Sequence, residues 1–139
     1  MEGPVSTRIS AALTLTGSGY DPDEITQQVG VTPTDTWRRG ERIQNTALRW
    51  EHDGWSFSTG LQESFDLSQQ VRTLLDQLQP YFAALTNCCR RWSLEAEIEC
   101  VIYAEGQIPA IHFDPDDVKR IAELGAEIDV DLYVFGITE

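Results

Sequence analysis

Leu94-Glu95-Ala96-Glu97-Ile98-Glu99-Cys100-Val101-Ile102-Tyr103 settles the kind of protein this chain makes. Leu94, Ala96, Ile98, Cys100 and Ile102 fall on one side of an extended chain and Glu95, Glu97 and Glu99 on the other. A period of two is the signature of a strand with one buried and one open face. The reading predicts a strand over 94–104 in a sheet covered on one side only. The last such segment, Glu127–Phe135, repeats the pattern: Ile128, Val130, Leu132 and Val134 turn inward, and Glu127, Asp129 and Asp131 turn out. Near the other end, Thr7–Thr16 sets Ile9, Ala11, Leu13 and Leu15 against Arg8, Ser10, Ala12 and Thr14.

Between these strands the sequence marks its helices. Asp21 before Pro22, with Glu24 in the capping-box position and Gly30 beyond, predicts a short helix over 20–30. Leu67, Val71, Leu74, Leu75, Leu78, Phe82 and Leu85 recur at helical spacing, and Pro80 must kink that helix or begin a second one. Asp114 before Pro115, with Val118 expected to staple onto Phe113 and Gly125 closing, predicts a third helix. Val31–Asn45 reads as a loop. Ala47–His52 and Trp55–Leu61 read as a hairpin around Asp53-Gly54, and Ile108–Phe113 as a further short strand. The expected order is β-α-β-β-α-β-β-α-β. It gives an α+β fold, an antiparallel or mixed sheet with the helices packed on one face, in a single domain over 1–139.

Tyr20-Asp21-Pro22-Asp23-Glu24-Ile25 and Phe113-Asp114-Pro115-Asp116-Asp117-Val118 share one pattern, aromatic-Asp-Pro-Asp-acid-aliphatic, and each helix ends in Gly. The match suggests an internal duplication, two α/β halves joined by the long helix. The common demand of helix N-termini for such residues accounts for it as well.

The bulk properties bound the function. The 139 residues include 23 acidic and 10 basic ones, a net charge of −13. Residues 93–139 alone hold 12 acids and 2 bases, a net of −10, against −3 for residues 1–92. Such a field repels nucleic acid and anionic membranes and attracts basic proteins. No apolar run approaches the ~20 residues of a membrane span, and Met1 to Arg8 lacks the layout of a secretory signal. Three cysteines, Cys88, Cys89 and Cys100, form no disulfide framework, so reduced thiols in a cytoplasm are expected.

Asp21-Pro22-Asp23-Glu24-Ile25, Gly30, Pro33-Thr34 and Trp37-Arg38-Arg39-Gly40-Glu41, followed by the long helix and the Leu124-Gly125-Ala126 to Tyr133 ending, resemble the bacterial domain-of-unknown-function family 4279. The resemblance covers most of the chain and implies a small bacterial α+β domain. It brings no catalytic residues. By size and charge alone, such domains look like the immunity proteins of toxin systems.

Two groups of residues are candidate sites. Six carboxylates, Glu95, Glu97, Glu99, Glu127, Asp129 and Asp131, should share the open sheet face, diluted by Arg8 and Arg49 if their strands lie between. They would dock a basic partner protein, or merely solvate the sheet and block aggregation. Alternatively, Trp37, Arg38, Arg39 and Arg42, beside the Trp50/Trp55 hairpin, would bind an anionic small molecule, as a binding domain or as an enzyme with its site there. Metal is not expected, because a flat strand face does not converge its carboxylates as a calcium loop does. No cofactor and no catalytic residue is expected. Cys88-Cys89-Arg90-Arg91 sets thiols beside cations, which favours reactivity, but His52 and His112 come with no catalytic signature. Gly17-Ser18-Gly19 fits neither a nucleophile elbow nor a phosphate loop.

Overall fold

The computed structural model describes residues 6–136. Of the stretch read for a secretory signal, residues 1–5 lie outside the described part. The elements are β1 (Arg8–Gly17), α1 (Pro22–Val29), β2 (Asp35–Trp37), β3 (Asp53–Ser58), β4 (Gln62–Glu63), α2 (Leu67–Leu78), a 3-10 turn (Gln79–Tyr81), α3 (Phe82–Trp92), β5 (Glu95–Glu105), α4 (Pro115–Glu123) and β6 (Ala126–Phe135). Five strands lie in the order β2-β3-β1-β5-β6, and β4 pairs with the start of β1. All pairings are antiparallel except β5–β6, which is parallel and crosses over through α4. The fold is therefore α+β with a mixed six-stranded sheet.

Alternation in β1 and β5 does what it predicts. Ile9, Ala11, Leu13 and Leu15 of β1, and Ile98, Cys100 and Ile102 of β5, are buried on one side with Trp55 of β3. Helix α2 lays Leu67, Val71, Leu74, Leu75 and Leu78 on them, and α3 adds Phe82 and Leu85. Each such side chain removed from water contributes about 1.5–3 kcal/mol. Tyr20, just before α1, and Ile25 within it are buried, and the Tyr20 hydroxyl donates to the Leu15 carbonyl at 3.1 Å. Pro80, which lacks an N–H, falls in the 3-10 turn that separates α2 from α3. Both Asp-Pro starts cap their helices: Asp21 accepts from the Asp23 N–H and Asp114 from the Asp117 N–H. The connections they open differ: α1 leads from β1 to β2, with β3 lying between those two strands, whereas α4 leads from β5 to its immediate neighbour β6. No described helix is long and apolar enough to cross a membrane.

The structure departs from the expected elements in four places, one of them Ala47–His52, which forms no strand beyond an isolated bridge from Arg49 to Arg42. Asp53-Gly54 is not a hairpin turn but the start of β3, which pairs with β2 inside the segment expected to be a loop. The reason is Trp37: a methyl added at Gly54 would overlap its indole, so Gly54 is the bare patch on which the ring lies. Asp53, buried, instead accepts from the Gly19 N–H at 3.1 Å and the Arg39 N–H at 2.9 Å. Ile108–Phe113 is not a strand, because β1 and β6 already occupy both edges of β5. Val118 is 48% exposed and does not act as a buried staple for Phe113.

Candidate functional site

The uncovered face of the sheet carries two rows of side chains that run across strands. The first is Asp35, Ser56, Thr14, Glu97 and Glu127, one from each of β2, β3, β1, β5 and β6. The second, one step along, is Trp37, Gly54, Thr16 and Glu95. Neighbours in a row are ~4.8 Å apart at the backbone. Thr14 and Ser56 join their hydroxyls at 3.1 Å. Thr14 is buried there although it faces away from the helices.

Over the β2 end of these rows stands an aromatic wall. Trp37 lies on Gly54, and Trp50 stacks on Trp37 with ring centres 4.6 Å apart. The Trp37 indole N–H points to Nδ1 of His52 at 3.4 Å. Trp50 arrives from the 38–52 loop, a small hairpin closed by hydrogen bonds between Gly40 and Trp50, Trp50 and Glu41, and Ile43 and Leu48. The wall and the rows enclose a cleft of about 520 Å³ lined by Thr14, Thr16, Asp35, Trp37, Trp50, His52, Ser56, Glu95, Glu97, Glu99 and Glu127. Five of these are carboxylates, and no Lys or Arg is among them.

The expected acidic ladder is thus assembled. Glu97 is registered with Glu127, and Glu99 with Asp129, while Asp131 stands beside Val101 further along the same face. Burial, followed by the charges of Glu99 and Asp129, a hydrogen bond with Glu99 and the charge of Glu127, pushes the Glu97 carboxyl up to about 7. Neither expected diluting cation lies among the acids. Arg8 is over the Tyr103 ring at the far end of β5, and Arg49 donates to the Gly40 carbonyl at 2.7 Å.

The Trp/Arg group is divided. Trp37 enters the cleft, but Arg38 turns to Asp21 at 2.6 Å and Asp23 at 3.2 Å. Arg39 is exposed and meets Asp53 through its backbone, and Arg42 pairs with Arg49 in the loop hairpin. Asp35 and His52 are lining residues that sequence reasoning misses. Thr14 carries a usable signal, its outward place in β1; Asp35 carries none, because its strand has only three residues.

The thiols are held protonated. Burial raises Cys88 against the opposing pull of Arg91, and burial with the neighbouring Cys88 pushes Cys89 up to about 11. Burial with Asp129 and Glu99 pushes Cys100 up to about 12. Desolvation outweighs the adjacent arginines that the sequence offers. His112 is exposed on the segment after β5. Among the described residues, no three His, Cys, Asp or Glu side chains converge to hold a metal ion.

The sequence model of a family described as a domain of unknown function (DUF4279) matches residues 7–135. No curated protein and no solved structure matches the chain.

Proposed function

The chain belongs to the DUF4279 family, which carries no assigned function, and we propose that it is a non-enzymatic interaction domain whose open acidic sheet face docks a basic partner protein. A toxin-neutralising immunity protein is one concrete form of this reading. The observation that carries it is the cleft: five carboxylates without a lysine or arginine beside them, next to the Trp37–Trp50 wall. Carboxylates held near one another repel, and an incoming cation relieves that repulsion. Indole surfaces next to carboxylates suit the apolar stem and charged head of an Arg or Lys side chain. Three of the chain's own arginines are engaged with acids elsewhere: Arg38 with Asp21, Arg72 with Asp114 and Arg120 with Asp76. An anionic ligand at Trp37, Arg38, Arg39 and Arg42 is less well supported, since Trp37 faces carboxylates and the arginines lie outside the cleft.

Capture of basic proteins at low salt, followed by measured association of the isolated partner, tests the reading. Association should be fast and fall steeply with salt. Glu97→Lys and Asp129→Lys should each lower affinity about tenfold or more, as like charges come to face a basic surface. Affinity unchanged by both reversals would sink the acidic-face reading.

A further inference from the structure

Strand β6 ends the sheet with its outer edge unpaired among the described residues. It is ten residues long, where strands average about 5–6. Sheet edges are usually short, covered, bulged or interrupted by proline, and β6 has no proline and an unbroken register with β5. About half of its backbone N–H and C=O groups therefore point to solvent. Its side chains are sorted by face. Glu127, Asp129 and Asp131 stand on the open side. Ile128 and Leu132 stand on the helix side, yet remain 40% and 37% exposed because none of the described residues covers them beyond the edge.

We propose that β6 receives an extended segment of the basic partner as a seventh strand, with Lys or Arg on the open side opposite Glu127, Asp129 and Asp131 and aliphatic residues opposite Ile128 and Leu132. The proposal rests on the reading of the acidic face and adds to it the form of the partner. The free backbone groups supply the hydrogen bonds of strand addition, and the alternation supplies the register. Opposite charges across strands contribute about 0.2–1 kcal/mol per pair, and like charges oppose pairing. That asymmetry argues against a second copy of this chain. The antiparallel two-fold pairings that use the whole strand centre on Val130 or Asp131. The first sets Asp129 opposite Asp131 twice, and the second sets Asp131 opposite itself. The acids that keep two copies apart are the ones that select a basic strand.

The test uses the full chain labelled with nitrogen-15 and a synthetic peptide as long as β6 in which Lys and Val alternate. A control peptide of the same composition has Lys and Val in separate blocks. The alternating peptide should slow hydrogen exchange of the outward β6 amides about tenfold or more, and the block peptide should not. The double substitution Asp129→Lys with Asp131→Lys, at exposed positions, should weaken the Lys/Val peptide about tenfold and create binding of a Glu/Val peptide. Equal binding of both Lys/Val peptides, unchanged β6 exchange, or a dimer formed through β6 in the absence of peptide would overturn strand addition. The Trp37 indole N–H reports separately on the cleft. Its shift without β6 protection leaves the acidic-face reading standing and removes this one, and the absence of both changes removes both.

Discussion

The two edges of the sheet are closed in opposite ways. At one side β2 has three residues, and its Trp37 is pinned between Gly54 and Trp50 beneath the 38–52 loop. At the other, β6 has ten residues with no strand beyond it among the described residues and three carboxylates along its open side. The first edge is ended by shortness and cover, the second by charge. Cover is fixed once the chain folds. Charge forbids like partners and admits unlike ones, so it leaves an edge that salt, pH or a basic chain can alter.

The largest expected effect concerns what holds β6 up from below. Helix α4 rests on α2 through Asp117, fully buried, which meets Arg120 at 3.3 Å and Arg72 at 3.6 Å. Arg120 and Arg72 keep Asp76 and Asp114 but lose the buried carboxylate they share, so Asp117→Ala should cost about 3 kcal/mol in urea unfolding, the upper end for charged hydrogen bonds. Hydrogen exchange should rise in β6 and leave β2 unchanged. A loss as small as that of an exposed surface residue would mean that β6 stands without α4.

The covered edge should break at Asp53. Asp53→Ala leaves the Gly19 and Arg39 N–H groups without their acceptor, at a cost of about 2 kcal/mol. Tryptophan fluorescence should report movement of the Trp37–Trp50 pair while β6 exchange stays as it was. Faster β6 exchange would show that the two edges are not independent.

The smallest effect depends on pH. The Glu97 carboxyl is raised from 4.5 to about 7, so the fold favours its neutral form. Its contribution is fully present below pH 4.5 and is lost as pH rises through 7. Glu97→Gln, which keeps the neutral shape, should melt with wild type near pH 4 and about 3 °C above it at pH 8. Equal melting temperatures at both pH values would mean that solvent relieves the repulsion, and the contrast between a fixed and a charge-set edge would weaken.

Much of the open face is legible in the residues alone. Glu95, Glu97 and Glu99 in β5, and Glu127, Asp129 and Asp131 in β6, fall on one side of the sheet because alternation is a property of the strand itself. The candidate site is legible only in halves. Composition assigns Trp37 and the glutamates to two separate sites, one for anions and one for cations, and they share one cleft. Two local signals mislead. Asp53-Gly54 has the composition of a hairpin turn, yet Trp37 needs the bare glycine within a strand. Cys88-Cys89-Arg90-Arg91 has the composition of a reactive thiol, yet burial decides its protonation.

By itself the sequence determined which side of β1 and β5 is buried, where the capped helices begin, that Pro80 interrupts the long helix, and that negative charge collects in residues 93–139. Each of these is set by neighbours within a few positions along the chain. Only the tertiary structure decided that β1 lies between β3 and β5, that Asp35, Ser56, Thr14, Glu97 and Glu127 form one row, and that β6 is left as a bare edge. Those outcomes depend on pairings between residues far apart in sequence, chosen by which apolar faces can be buried together, and no local pattern encodes that choice.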